Sequence, residues 1–176
     1  MNRDWHEEPI SRRHDRGRFD CGRPELNQYL DRYARQNHES GGAKTFVAVF
    51  LEEPARVLGY YSISPASIEF ARVPAQLTRK LGRYDVPVFR LGRLAVDRTM
   101  QGRGLGGELL LAAGARVLAV AAEVGGVALA IDAKDANAAR WYERFGARQL
   151  LDDPLKLILP LTVVAATIAA AEGDTR

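Results

Sequence analysis

VDRTMQGRGLGGELLLAA, residues 96–113, is the stretch on which the fold turns. Gly102, Gly104, Gly106 and Gly107 stand between an apolar strand pattern, PVFRLGRLAV (87–96), and a long apolar helix pattern over 104–123. Such a loop bares backbone N–H groups at the positive end of a helix, which is what a pyrophosphate needs. The plainer alternative is a glycine turn with no ligand. Four glycines in the span 102–107, inside the most basic part of the chain, weigh against it. Gly102, Gly104 and Gly107 also fit the dinucleotide pattern G-x-G-x-x-G, with Asp132 after a later strand. However, DRTMQ (97–101) separates strand from glycine where that pattern expects an immediate turn. Too much chain precedes the motif, and too little follows it, for a doubly wound sheet. No Gly-Lys-Ser/Thr occurs, so a P-loop is excluded. The remaining pattern is Q/R-x-x-G-x-G/A, matched by Gln101-Gly102-Arg103-Gly104-Leu105-Gly106.

The charge around this loop is uneven. The chain carries a net +3 over 176 residues, yet residues 72–103 hold eight basic side chains against Asp85 and Asp97. Both flanks are slightly acidic. An anionic partner, a phosphorylated cofactor or RNA, suits that segment, against a merely solvated surface. At 47 % hydrophobic and 27 % charged, the chain is of ordinary globular composition. Its length predicts one domain over 1–160 and a tail, 161–176, that forms a short helix and then frays. Cys21 is the single cysteine, so an internal disulfide is impossible and no metal cluster is expected. The start, MNRDWHEEPISRRHDR, has no apolar core of a secretory signal. The apolar run Leu155–Ala171 is interrupted by Lys156 and Pro160 and falls short of a membrane span. A cytoplasmic protein with no membrane partner is expected.

Periodicity predicts the rest. PELNQYLDRYARQNH (24–38) reads as a helix with Pro24 at its first position and Leu26, Tyr29, Leu30 and Tyr33 on one face. TFVAVFL (45–51) and RVLGYYSIS (56–64) read as a hairpin turned by EEPA. A short helix follows near 74–81. In the helix at 104–123, Glu108, Arg116 and Glu123 share one narrow stripe, so most of it should be buried against a sheet. GVALAI (126–131) is a buried strand, Asn137–Phe145 a helix stopped by Gly146, and LKLIL (155–159) a last strand. The fold class is α/β (α+β), one mixed sheet flanked by helices.

Strand, glycine loop, helix, strand and a helix bearing Asn and Tyr, in that order, resemble the GNAT superfamily of acetyl-CoA-dependent N-acyltransferases. The resemblance implies acetyl-CoA as co-substrate. Its pyrophosphate would lie on Gln101, Gly102, Arg103, Gly104, Leu105, Gly106 and Gly107, and its pantetheine along Leu94, Ala95 and Val96 of a splayed strand. Asn137 and Tyr142 in DANAARWYERFGA would complete the site. FDCGRPELNQYL (19–30), TFVAVF, GYYSIS and RLGRLAVD further resemble the GNAT toxins of bacterial type II toxin–antitoxin pairs, from about Phe19 to Leu159. FGARQLL differs slightly from the usual aromatic ending. This closer resemblance implies acetylation of the α-amine of aminoacyl-tRNA, blocked translation, a ribbon-helix-helix antitoxin and a homodimer.

Acyl transfer from a thioester to an amine needs a neutral amine, a polarised carbonyl and a proton for the departing thiolate. Backbone N–H groups near Leu94–Val96 suit the carbonyl. The Tyr142 phenol suits the thiolate, the alternative being core packing beside Trp141 and Phe145. His6, His14 and His38 lie far from the motif, while Asp97, Asp132 and Asp135 read as capping or pairing acids. The want of a strong base suits an α-amine, whose pKa is about 7.7–8.0 against about 10.4 for lysine. Cys21 reads as a turn residue, not a nucleophile. Arg79, Lys80, Arg83, Arg90 and Arg93 are the expected RNA contacts. Arg90 and Arg93 are expected on one open face, the alternative being pairing with Asp97 or Asp132. Two competing readings are a GNAT enzyme acting on a protein or small-molecule amine, and a catalytically silent CoA- or RNA-binding module. The intact loop and Tyr142 disfavour the second, and the basic segment favours RNA over the first.

Overall fold

A computed structural model describes residues 4–174. Their strands are β1 (Trp5–Pro9), β2 (Lys44–Phe50), β3 (Val57–Ile68), β4 (Val86–Val96), β5 (Ala128–Asp132), β6 (Arg148–Gln149) and β7 (Lys156–Pro160). The helices are α1 (Pro24–Gln28), α2 (Ala34–Ser40), α3 (Ala75–Thr78), α4 (Leu105–Val124), α5 (Ala136–Glu143) and α6 (Leu161–Gly173). The strands form one seven-stranded mixed sheet in the order β1-β2-β3-β4-β5-β7-β6, the α/β architecture the periodicity predicts. Two compact units divide the chain. One gathers residues up to Ser64 with Gly92–Leu110, the other Pro65–Leu91 with residues from Leu111 onward.

In the first unit β1, β2 and β3 pair antiparallel. Strand β1 carries no apolar alternation (WHEEP) and pairs on one side only, so its sequence gives little strand signal. Glu8 secures it. His14 Nε2 donates to Glu8 Oε1 at 2.6 Å and Arg13 Nε donates at 3.0 Å, while His14 is buried with its Nδ1 accepting from the Ser11 N–H. Burial alone would raise the Glu8 carboxyl, but bonds from Arg13, His14 and His6 outweigh it and bring it down to about 2. The core here is Ile10, Phe19, Tyr29, Leu30, Ala34, Val47, Val49, Val57, Tyr60 and Ala95.

The helix expected over 24–38 starts at Pro24 but is interrupted by a π-turn over Tyr29–Tyr33, closed by the Ala34 N–H on the Tyr29 carbonyl. The extra residue in that turn slides the buried face. Ala34 is therefore fully buried, whereas Tyr33, expected on the apolar face, is 50 % exposed.

In the second unit β4 runs parallel to β5, and β7 is antiparallel to both β5 and β6. Its core is Ile68, Val73, Val86, Val88, Ala128, Leu150 and Ile158, with Leu77 and Leu81 packed on it. The tail residues form α6, which buries Leu161 and Val164. The expected fray falls mainly on residues 175–176, outside the described residues.

Helix α4 departs from expectation. By length and composition it is apolar enough to cross a membrane. In the fold it buries Leu105, Leu109, Leu110, Ala113 and Val117 as a core helix does. Its last turns are open, with Val120 40 % and Val124 73 % exposed, so most of the helix is not buried. A charge-poor sequence sets which residues tolerate burial. How far the neighbouring elements reach along the helix sets which ones are covered.

Candidate active site

The glycine loop takes the form its sequence implies. Gly102 and Gly104 hold φ of +74° and +86°, in the left-handed region that side chains disfavour. A Cβ at either would meet nothing within 4 Å, so open space lies before the main chain there. Leu105 then opens the 20-residue α4, whose first-turn N–H groups have no acceptor within the helix. Two left-handed glycines, open space and a helix N-terminus together fit the pyrophosphate of acetyl-CoA. Gly102, Arg103 and Gly104 are exposed, and Leu105 turns inward.

The Gln101 side chain braces the loop. Its side-chain amide donates to the Cys21 carbonyl at 3.0 Å and the Val96 carbonyl at 2.9 Å, tying the loop to the end of β4 and to the turn at 20–22. Asp97 strengthens that tie. It is buried and accepts from the Asp20 N–H (3.0 Å), the Thr99 N–H (3.0 Å) and Thr99 Oγ1 (2.7 Å). Burial pushes its carboxyl up, and these bonds bring it below the usual range. Arg98 meets Asp20 in turn. FDCG (19–22) is therefore the support of the loop, a role that spacing alone does not reveal.

Strand β4 extends beyond its pairing with β5. Its register with β5 covers Phe89, Arg90 and Leu91, while the strand runs on to Val96. Leu94 and Val96 are partly exposed, and Ala95 is buried in the core of the first unit.

Asn137 and Tyr142 both lie on α5, whose N-cap Asp135 accepts from the Ala138 N–H. Asn137 is exposed, and its Oδ1 accepts from Arg140. Tyr142 is partly buried, with its ring edge-on to Trp141 at 4.9 Å, and Trp141 rests on Phe145. Burial pushes the Tyr142 phenol up to about 12, above the value near 10 that an ordinary tyrosine has. It stays protonated at neutral pH, as a proton donor must.

The acids and histidines weighed as bases are all engaged. His6 and His14 meet Glu8, and His38 Nδ1 accepts from the Thr45 N–H. Asp97 and Asp135 cap helical turns, and Asp132 pairs with Arg90 and Lys156. Burial pushes the Cys21 thiol up, away from nucleophile character. Among the described residues no cluster of metal-ligating side chains occurs.

The basic candidates divide. Arg79, Lys80 and Arg83 are exposed. The expectation that Arg90 and Arg93 share one open face fails, because residues three apart on a strand point to opposite sides. Arg90 pairs with Asp132, whereas the Arg93 guanidinium lies 3.5 Å from the centroid of the Tyr29 ring.

Comparison with known proteins accords with this geometry. Residues 43–146 match the acetyltransferase (GNAT) domain family. A tRNA-acetylating toxin of Mycobacterium tuberculosis is 37 % identical over 150 residues, covering 85 % of this chain and 88 % of that protein. The structure of AtaT complexed with acetyl-methionyl-tRNAfMet superposes with a TM-score of 0.87 at 27 % identity, covering 94 % of this chain and 99 % of that one. A mutant AtaT toxin bound to the C-terminus of the antitoxin AtaR and acetyl-CoA superposes with a TM-score of 0.80 at 25 % identity, again over 94 % and 99 %. With its glycine loop, overrunning β4 and tyrosine-bearing α5, the chain belongs to the GNAT acetyltransferase family.

Proposed function

We propose that this protein is an acetyl-CoA-dependent N-acetyltransferase that acetylates the α-amine of aminoacyl-tRNA and so blocks translation, as the toxin of a toxin–antitoxin pair. It works in the cytoplasm as a homodimer restrained by a ribbon-helix-helix antitoxin, within one acetyltransferase domain over 1–160. The observation that carries the reading is the loop Gln101–Gly107, with left-handed Gly102 and Gly104 at the start of α4. Kinship with a relative named for tRNA acetylation supports the substrate.

Acetyl-CoA, when bound, supplies the acetyl thioester. The loop backbone and Arg103 hold its phosphates, and Asn137 contributes from α5. Main-chain N–H groups of Leu94–Val96 orient the carbonyl and stabilise charge on its oxygen. Tyr142 Oη holds a proton and donates it to sulfur as the C–S bond breaks and the N–C bond forms; the proton the amine sheds goes to water. No side chain is required as a strong base, since an amine of pKa about 7.7–8.0 is partly neutral at working pH. Arg79, Lys80 and Arg83 take RNA phosphates. Arg90, paired with Asp132, and Arg93, stacked over Tyr29, are further contacts for the RNA.

The test is mass spectrometry of tRNA-linked amino acids after incubation with acetyl-CoA. Acetylated aminoacyl-tRNA is expected. Acetyl transfer to protein lysines or small amines alone would replace this reading with that of a general GNAT enzyme.

A further inference from the structure

The segment 79–85, RKLGRYD, is charged yet unpaired. Among the described residues Arg79, Lys80 and Arg83 enter no ion pair, in contrast to Arg72 with Asp152 and Arg90 and Lys156 with Asp132. Within the segment Asp85 is the one acid. Beside these cations stands Tyr84, 83 % exposed, above Leu51, Leu151, Val124 and the other large apolar side chains left in solvent. A ring so exposed in a segment with three unpaired cations, in a chain that buries Tyr29, Tyr60 and Tyr61, is open to stacking from solvent.

Local packing fixes where the ring sits. Leu77 and Leu81 pack into the core of the second unit and Thr78 is buried, so the segment is anchored from beneath. A Cβ at Gly82 would stand 3.1 Å from Tyr84 Cδ2 and 3.3 Å from Cε2. The ring therefore lies close along the main chain at Gly82, and its remaining surface faces water. A ring backed by main chain, in an exposed segment that also carries Arg79, Lys80 and Arg83, has the composition of a base-stacking platform. Stacking on one aromatic face holds any base, while the flanking cations meet the phosphates on either side. A duplex hides its base faces, so the platform selects an unpaired segment.

We infer that Tyr84 stacks on an unpaired nucleobase of the RNA substrate, with Arg79, Lys80 and Arg83 on the adjacent phosphates. This rests on the reading of the substrate as aminoacyl-tRNA. The full-length protein and its Tyr84→Ala and Tyr84→Phe variants are titrated with uncharged tRNA at two salt concentrations, and with a short single-stranded RNA and its duplex. Acetyl-CoA affinity and melting temperature are measured alongside. Tyr84→Ala is expected to weaken tRNA and single-strand binding about tenfold, within the range measured for base–aromatic stacks. Tyr84→Phe stays within twofold of wild type. The salt slope is unchanged because no phosphate contact is lost, and acetyl-CoA affinity and melting temperature hold.

Wild-type protein that binds and acetylates aminoacyl-tRNA, with Tyr84→Ala within twofold of it, overturns the stack and leaves the proposed function standing. The stack is equally overturned if Tyr84→Ala weakens only the affinity for a protein partner. Wild-type protein that binds no RNA overturns both.

Discussion

Residues 101–107 and residues 79–85 both suit phosphate, and they do so with opposite parts of the chain. In the first, main chain faces the ligand, two left-handed glycines clear the space, and Gln101 clamps the loop from behind. In the second, the main chain is merely the support for Tyr84, and long exposed side chains carry the charge. A backbone cradle is rigid and short-ranged, so it fixes one small anion in one place. Side-chain cations are mobile and act over about 10 Å at ordinary salt, so they hold an extended polyanion loosely. One region suits a cofactor and the other a nucleic acid.

The largest expected effect separates both regions from the chemistry. Tyr142→Phe removes one hydroxyl and leaves the contact with Trp141, so acetyl-CoA and tRNA should bind as before. Turnover should drop about 10²–10⁴-fold, the usual worth of a general acid. Steady-state kinetics with calorimetry decides this, and wild-type turnover would return Tyr142 to a packing role. In cells the same change should relieve growth arrest.

Next in size is the response to pH. Glycine N–H groups do not titrate, and Tyr142, its phenol pushed up to about 12 by burial, stays protonated between pH 6 and pH 8. The substrate α-amine titrates within this interval. For a pKa of about 7.7 its neutral fraction, and kcat/KM with it, should climb about thirtyfold over that interval. A profile that falls again before pH 10 would mean that the phenol is not held up by burial.

Gly104→Glu strikes the cradle alone. It sets a side chain at a φ of +86° and a carboxylate in the open space before the loop. Acetyl-CoA affinity should weaken more than tenfold, about 1.4 kcal/mol or more, with tRNA affinity little changed. An unchanged calorimetric dissociation constant would remove the loop from cofactor binding.

Smallest are single alanines at Arg79, Lys80 or Arg83. Each should weaken tRNA binding a few-fold and lower its salt slope by about one unit, without touching acetyl-CoA affinity. A variant that keeps its slope has lost no phosphate contact, and the contrast between the two regions would then fail at that residue.

Much of this molecule is written locally. Pro24, the glycines of the loop, the β-branched and aromatic runs of β2 and β3 and the apolar run of β5 declare elements through backbone dihedrals and period alone. The loop with its strand and helix is legible for the same reason, since left-handed turns need glycine and a helix N-terminus needs no partner to be positive. What tertiary structure decided involves residues distant in sequence. WHEEP became a strand because β2 offers it an edge, and Glu8 became an anchor because His14 and Arg13 fold onto it. The π-turn moved Tyr33 out and Ala34 in, which residue spacing counted at 3.6 per turn could not foresee. Arg90 and Arg93 look alike in sequence, but Asp132 and Tyr29 distinguish them. Gln101 reads as a motif residue in sequence, and that it also braces the loop follows only from the Cys21 and Val96 carbonyls it meets. Dihedral preference and periodicity are properties of short segments and survive in the sequence. Partner choice among exposed charges and amides depends on which distant groups the fold brings within about 3 Å, and that is settled only when the chain closes on itself.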